Sequence, residues 1–387
     1  MKKLITYYIG LMCAVCLSGT LTTSCTDDEG IGSGHTDVLL SISVRRSHTQ
    51  TRSIMPGGEG ETPQVKRIWA VFCVKGAVVR SEAKELKGNT AEFDSIPASV
   101  NKIYVIGYPT TSATALPAVN AHLRMEADVK KQIMIDMQSQ SQTDPTAVNT
   151  YGVSDVDLSD AAEDKPVAAE IELAPAMSRL EIMKIDPADP PATMTIQQPV
   201  KSFKLDAIYI NNTYKKLAID GVTRPTAVGD TLNYGSAATV WVNPATYPAG
   251  FCDNIASKTA QSSFAPATGN NWGYYIVPLS SANGAKGTTI NGELRPEVVP
   301  HLVVKVSDVS IEDGTVIAGP MYLTVRGYKN TDGDDVKQFD AGYVYRIKNL
   351  AFGLEHLSVE PEADPADITV VLTVVDWVNE LVEGDVD

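Results

Sequence analysis

Residues 38–44 read VLLSISV, and their spacing is the clearest structural signal in the chain. Val38, Leu40, Ile42 and Val44 fall on one face of an extended backbone, and mostly polar residues fall on the other. Alternation with a period of two residues is typical of a strand that buries one face. The stretch therefore predicts a half-buried β-strand.

Similar β-rich runs continue along the chain, separated by clusters of glycine, asparagine, aspartate and proline. The chain contains 28 glycines and 22 prolines, and their spread favours many turns over long helices. Residues 112–137 are the best helical candidate, although residues 131–137 suit a strand equally well. The predicted strands after the first occupy residues 65–74, 102–108, 167–173, 179–185, 203–210, 239–242, 274–278, 301–306, 322–328, 343–352 and 367–378.

The length and the strand pattern together predict two domains. A chain of 387 residues is long enough for two domains of ordinary size, each with its own core. An acidic segment at residues 159–165 precedes two strands, and we place the boundary between those strands, near Ala174 and Pro175. The fold class is therefore mostly β, with two β-sandwich domains in tandem at residues 37–174 and 175–387.

The composition limits the classes of partner. The chain is 43% hydrophobic, which is too apolar for intrinsic disorder. It carries 47 acidic and 32 basic side chains, so its formal net charge is -15. No basic excess is available to displace counterions from phosphate backbones, so we expect no nucleic-acid partner.

The first residues have the pattern of a secretion signal, residues 1–24. Lys2 and Lys3 precede an apolar run at residues 4–17. The run is shorter than the roughly 20 residues that cross a bilayer, which favours a cleaved signal over an anchor.

Residues 21–25, LTTSC, resemble a lipobox, the motif in which the signal is cut just before a cysteine that is then diacylated. We expect the cut between Ser24 and Cys25 and the lipid on Cys25. Cys16 is the rival position, although the branched Val15 before it suits cleavage poorly. The acidic, glycine-rich residues 25–36 then form a tether.

Catalytic and metal-binding patterns are absent from the sequence. The five histidines show no HExxH or paired spacing, and no G-x-S-x-G occurs. Ser81 to Lys84 matches S-x-x-K, a pattern that four residues produce by chance. We expect no catalytic residue, cofactor or metal site. Cys73 and Cys252, which lie outside the signal and the lipobox, are read as two buried free thiols or a disulfide.

Four segments together resemble the fimbrillin family, the lipoprotein-derived subunits of type V pili in Bacteroidales. They are residues 65–72 (VKRIWAVF), 173–182 (LAPAMSRLEI), 203–212 (FKLDAIYINN) and 343–350 (YVYRIKNL), and the last is followed by the terminal strand. The resemblance implies transthyretin-like sandwiches, a lipoprotein precursor on the outer membrane, and assembly with other copies and other pilus subunits for adhesion. It also implies that an arginine-specific protease removes the first strand, and that a neighbour's strand fills the groove.

The loop that follows the first strand offers the protease its site. We choose the bond between Arg52 and Ser53, because it lies clear of the strand in the turn-rich segment 47–63. Arg46 is the alternative, but like Arg45 it borders the strand. An ordinary surface role for Arg52 stays open.

The terminal strand is the candidate donor. Ile368, Val370, Leu372 and Val374 repeat the spacing of the four aliphatic residues in the first strand. The alternative is a strand buried on both faces within its own domain.

Other functions remain open at this stage. Within the family, the leading expectation is a shaft subunit. An anchor that is never cut and a tip subunit are the alternatives, and the receptor is unknown. A surface glycan-binding lipoprotein is the alternative from another class. It would use exposed aromatic residues as stacking platforms, namely Trp241, Tyr247, Trp272, Tyr274 and Tyr275.

Overall fold

The computed structural model describes most of the chain after residue 36. The described residues are 37–46, 64–110, 124–136, 147–159, 166–188, 199–219, 232–233, 241, 243–248, 250–267, 271–277, 288–290, 293–295, 299–336, 338–362 and 368–376. Within them, no helix is both long and apolar enough to cross a membrane. The signal (1–24), Cys25, the tether (25–36) and the Arg52–Ser53 bond lie outside the described residues.

Strands dominate the described residues, as the sequence predicts. The first part of the chain contains helix α1 (Glu126–Gln132) and strands β1 (Asp37–Arg46), β2 (Arg67–Val74), β3 (Ala77–Glu85), β4 (Thr90–Pro97), β5 (Lys102–Tyr108), β6 (Met134–Asp136), β7 (Thr150–Asp155) and β8 (Val167–Pro175).

The strands continue to the end of the described chain. They are β9 (Ser178–Ile182), β10 (Ile185–Pro187), β11 (Val200–Asn211), β12 (Thr213–Tyr214), β13 (Lys216–Ala218), β14 (Leu232–Asn233), β15 (Cys252–Asn254), β16 (Trp272–Ile276), β17 (Thr288–Ile290), β18 (Glu293–Arg295), β19 (His301–Ile311), β20 (Val316–Ile317), β21 (Met321–Lys329), β22 (Tyr343–Ile347), β23 (Leu350–Phe352), β24 (Leu357–Ser358), β25 (Ile368–Val371) and β26 (Thr373–Asp376).

The first sandwich is one strand path folded over a core. Its order is β3-β2-β5-β7-β8-β1-β4, and β7 joins β8 only at Thr150 with Pro175 and Tyr151 with Ala174. That narrow junction lets β8, β1 and β4 fold over the other four strands. Phe72 of β2 and Phe93 of β4 meet across the core in a T-shaped contact with ring centroids 5.3 Å apart.

Helix α1 covers the opposite face of β2 and β5. Val129 of the helix is buried with Trp69 and Tyr104 of those strands. The helix ends at Gln132 and β6 begins at Met134, so the described part of the predicted segment contains a helix and then a strand. Residues 112–123 of that segment lie outside the described residues. Strand β6 pairs with β13 from the second half, which ties the two halves together.

The second sandwich packs two larger sheets over one core. One sheet has the order β15-β11-β19-β21-β24, with β20 on β19 and β25 on β21, and the other has the order β16-β9-β22-β26. Leu180 of β9 and Leu205 of β11 belong to the same buried cluster. Because β8 ends at Pro175 and β9 begins at Ser178, the sheets change close to the predicted boundary. Thr36–Asp387 form one compact unit, however, so the two separate domains stay a prediction.

Candidate functional site

Strand β1 fills a slot between two strands of the first sandwich. It pairs antiparallel with β4, from Asp37 with Pro97 to Ser43 with Thr90. On its other side it pairs parallel with β8, from Leu40 with Val167 to Arg46 with Leu173. Loss of β1 would leave the facing edges of both neighbours without backbone partners.

The face of β1 that the sequence assigns to the core does lie in the core. Val38 is 3% exposed and Leu40 and Ile42 are 0% exposed, whereas Val44 is half-buried against the same cluster. The other face carries Leu39, Ser41 and Ser43, which are half-buried. The alternation predicted for residues 38–44 is therefore confirmed, with weaker burial at Val44.

The alternative cleavage site is built into the strand. Arg45 and Arg46 belong to β1, and their backbones are in register with Glu172 and Leu173 of β8. A protease needs an extended, unpaired backbone, so a cut at Arg46 would require the end of β1 to detach first. This pairing favours the loop beyond Arg46.

The terminal segment lies at the edges of two sheets. Strand β25 pairs parallel with the C-terminal part of β21, and β24 pairs with the N-terminal part of the same edge. Strand β26 pairs antiparallel with β22 in the other sheet. Val370 is 5% exposed and Leu372 is 0% exposed, as an inward-facing pair. In the part of the chain that the structure describes, each of the two strands has one neighbour, so neither is central there, and Val371 at 56% exposure shows that β25 is not buried on both faces.

The alternation predicted for the terminal segment breaks at Val374. That side chain is 39% exposed, whereas Thr373 is 7% exposed. The chain crosses from one sheet to the other at Leu372, and this crossing reverses which residues face inward. The expectation of a single aliphatic face through Val374 is thus wrong for the uncut chain. Ile368 is in β25, but its side chain is outside the described set.

A largely buried carboxylate belongs to Glu362, the last described residue before β25. The Glu362 carboxylate accepts hydrogen bonds from Asn211 Nδ2 at 2.8 Å and from Arg326 Nη2 at 3.4 Å, and its Oε2 lies 2.8 Å from His301 Nδ1. The Glu362 backbone carbonyl also accepts a hydrogen bond from Arg326 Nη2. Burial alone would raise the pKa of Glu362, but His301, Asn211 and Arg326 outweigh burial and hold the pKa below its ordinary value. The ionised carboxylate therefore fastens residue 362 to β11, β19 and β21.

A second buried carboxylate lies on β9. Glu181 Oε1 is 3.0 Å from Arg179 Nε, and Glu181 Oε2 is 2.8 Å from Arg346 Nε and 2.9 Å from Asn271 Nδ2. The Arg179 guanidinium also lies over the Tyr275 ring, 5.1 Å from its centroid. Burial alone would raise the pKa of Glu181, but the two arginines outweigh burial and lower it. This network links β9 to β22 and to the start of β16.

Sequence reasoning missed both carboxylate networks. Glu362 and Asn211 are separated by 151 positions, and Glu181 and Arg346 by 165. Only the fold brings them together. The one available signal was the pair of opposite charges, Arg179 and Glu181, within a short predicted strand.

The aromatic platform expected of a glycan binder is wrong for four of its five residues. Trp241, Tyr247, Tyr274 and Tyr275 are 5% exposed or less, and only Trp272 is half-buried. Trp241 and Tyr247 pack with Tyr209 inside the second core, with ring centroids 5.0 to 5.4 Å apart. These side chains therefore contribute to core packing, which is the ordinary role of large buried aromatic residues.

The described residues contain no group of three or more histidine, cysteine, aspartate or glutamate side chains that could hold a metal ion. Cys73 and Cys252 are both free thiols, so the disulfide alternative is wrong. Burial raises the pKa of Cys73 to about 11 and that of Cys252 to about 12. Both thiols are therefore protonated and unreactive at neutral pH.

Solved structures share this fold. A candidate cell adhesion protein from Parabacteroides distasonis ATCC 8503 aligns with a TM-score of 0.56 at 14% identity, over 88% of this chain and 100% of that chain. One from Bacteroides eggerthii DSM 20697 aligns with a TM-score of 0.55 at 14% identity, over 90% and 98%. A fimbrilin from Porphyromonas gingivalis W83 aligns with a TM-score of 0.51 at 13% identity, over 89% and 99%.

Neither a protein-family model nor a curated protein matches the sequence. At 13–14% identity the structural likeness establishes the fold and leaves function to be argued separately. The mostly β fold expected from the sequence is confirmed, and the resemblance to fimbrillins has a structural counterpart.

Proposed function

We propose that this chain is a shaft subunit of a surface fimbria, made as a lipoprotein precursor and polymerised by strand exchange after proteolysis. The observation that carries the proposal is the place of β1. It is the first strand of the described chain, it lies in the middle of a three-stranded layer, and its removal would open a groove along the first core.

The proposed processing steps use the motifs found in the amino-acid sequence. The signal is cut between Ser24 and Cys25, and lipid on Cys25 holds the precursor at the outer membrane. An arginine-specific protease then cuts between Arg52 and Ser53, which separates β1 from the rest of the chain. The lipid leaves with β1, so the processed subunit is free to enter a fibre.

Removal of β1 would expose apolar surface in the groove, at a cost in free energy. Val38, Leu40 and Ile42 are almost fully buried, and burial of each such side chain contributes roughly 1.5–3 kcal/mol. Together they give an upper bound of about 5–9 kcal/mol, because the emptied slot can partly collapse. A strand from a second copy would rebury this surface and pair both open edges.

The terminal segment is the proposed donor. Among the described strands, β25 pairs with β21 alone and β26 with β22 alone, so release of each strand breaks one ladder. Val374 is 39% exposed in the uncut chain. In the slot of another copy, the inward set Ile368, Val370, Leu372 and Val374 would all be buried.

Limited proteolysis tests the proposal. The chain lacking residues 1–24 is treated with trypsin at low dose, the new N-terminus is sequenced, and ladders are sought on gels in detergent with and without heating. We expect a cut after Arg52 and a ladder that disappears on heating. A cut without a ladder would contradict the shaft role, and a chain that resists the cut would instead suit an anchor.

A further inference from the structure

The slot that β1 fills is lined by small side chains on both sides of Ile42. The two cross-strand neighbours of Ile42 are Ala91 on β4 and Ala169 on β8, and both are buried. Side chains opposite each other on adjacent strands lie close enough to define the space between them. Two alanines therefore leave room for one large side chain, and Ile42 fills it at 0% exposure. We call this space the alanine pocket.

The other inward positions of β1 have larger neighbours. Leu40 lies between Phe93 and Val167, and Val38 is opposite Ile96. Val44 is in register with Ile171. Of these four inward positions, Ile42 is the one that lies between two alanines. An incoming strand must therefore place a large side chain at this position, which makes the fit sensitive to its register.

We propose that the alanine pocket sets the register of the strand that replaces β1, and that its occupant is Leu372 of a second copy. This inference rests on the proposed function. A strand keeps the same inward face only when it slips by two residues, so the alternatives are few. With Leu372 in the pocket, Ile368, Val370 and Val374 take the positions of Val38, Leu40 and Val44, and every inward position is aliphatic.

Each neighbouring register places a less suitable side chain at one or more inward positions. With Val374 in the pocket, Asp376 takes the position of Val44 and a carboxylate enters the edge of the core. With Val370 in the pocket, Ala366 takes the position of Val38 and the alanine pocket is underfilled. With Ile368 in the pocket, Asp364 and Ala366 take the positions of Val38 and Leu40.

A volume exchange between the slot and the donor tests the register. The acceptors are trypsin-cut forms of the chain lacking residues 1–24: the parent, I42A/A169L, and A168L. In the uncut variant, I42A makes room for the leucine introduced at position 169. The substituted residue 42 leaves with β1 after the cut. Ala168 is the matched control, because it is the exposed neighbour of Ala169 on β8. Labelled synthetic peptides of residues 367–376, in parent, L372A and V370A forms, serve as donors.

The parent and A168L acceptors should bind the parent peptide about tenfold or more tightly than the L372A peptide. In I42A/A169L the order should reverse, because the leucine introduced in place of Ala169 occupies the space that Leu372 needs, and V370A should give no rescue. If I42A/A169L does not fold, I42A/A91V makes the same exchange from the other wall.

Two results would overturn the inference. Unchanged preference for the parent peptide in I42A/A169L, or rescue by V370A instead of L372A, would show another register while leaving strand exchange intact. Failure of the parent acceptor to bind any of the peptides would remove the proposed function, and the register with it.

Discussion

Strand β1 of the first sandwich and strand β9 of the second have the same surroundings. Each lies between an antiparallel neighbour, β4 or β16, and a parallel neighbour, β8 or β22. They differ in what holds them. Strand β1 buries one face of aliphatic side chains, whereas every residue of β9 is buried and Glu181 adds ion pairs to Arg179 and Arg346.

Under the proposed mechanism, this difference separates the strand that leaves, β1, from the strand that stays, β9. Apolar burial and backbone pairing can be supplied equally well by another strand of the same pattern. A buried carboxylate between two arginines cannot be supplied by an aliphatic strand, because removal of Glu181 leaves buried charges uncompensated. The same contrast supports β1, the first strand of the described chain, as the exchanged strand in the proposed assembly.

The largest expected effect is the loss of the Glu181 charge. E181Q should lower the free energy of unfolding by about 3–5 kcal/mol, because Arg179 and Arg346 lose their buried partner. S41A, on the outward face of β1, should change it by less than about 0.5 kcal/mol. Urea unfolding of the chain lacking residues 1–24 measures both. Equal effects of the two substitutions would erase the distinction between the strands.

A matched pair of core leucines gives the next effect. Leu40 of β1 and Leu180 of β9 are both 0% exposed. In the uncut chain, L40A and L180A should each lower the free energy of unfolding by about 2–5 kcal/mol. After cleavage and assembly, the melting temperature of the L40A polymer should equal that of the parent, because β1 has gone, whereas L180A should remain destabilised. A persistent L40A effect would mean that β1 stays in place.

Gly273 reports on how tightly the Arg179 side chain is held beside β9. It lies on β16 in register with Glu181, and a Cβ atom there would clash with the Arg179 guanidinium. G273A should therefore cost about 1–3 kcal/mol of unfolding free energy. G319A is the control, since its Cβ would meet nothing within 4 Å. Comparable melting temperatures for the two variants would show that Arg179 moves freely.

The smallest expected effect is on the dependence of stability on pH. The pKa of Glu181 is lower in the folded chain than its ordinary value of 4.5, so its contribution is fully present above pH 4.5 and is lost as the pH falls through the folded value. E181Q should flatten the decline of unfolding free energy below pH 4.5, and S41A should not. Parallel pH profiles for parent and E181Q would contradict this assignment.

The sequence predicted β1 well because its signal is local. Strict alternation at Val38, Leu40 and Ile42 records one buried face, and the strand lies in a single sheet. The same signal failed at Val374, because the crossing between sheets at Leu372 depends on β21 and β22, far earlier in the chain. The burial of Trp241 and Tyr247 was equally unreadable, since aromatic side chains suit both cores and binding surfaces.

The most direct test of the central claim is to fasten β1 in place. Ser41 of β1 and Ala168 of β8 are in register on the outward face, so S41C/A168C can form a disulfide across the parallel pair. Trypsin should cut the oxidised variant after Arg52 as it cuts the parent, but no ladder should form until a reductant releases β1. A ladder of normal yield from the oxidised, fully cut variant would contradict the exchange of β1.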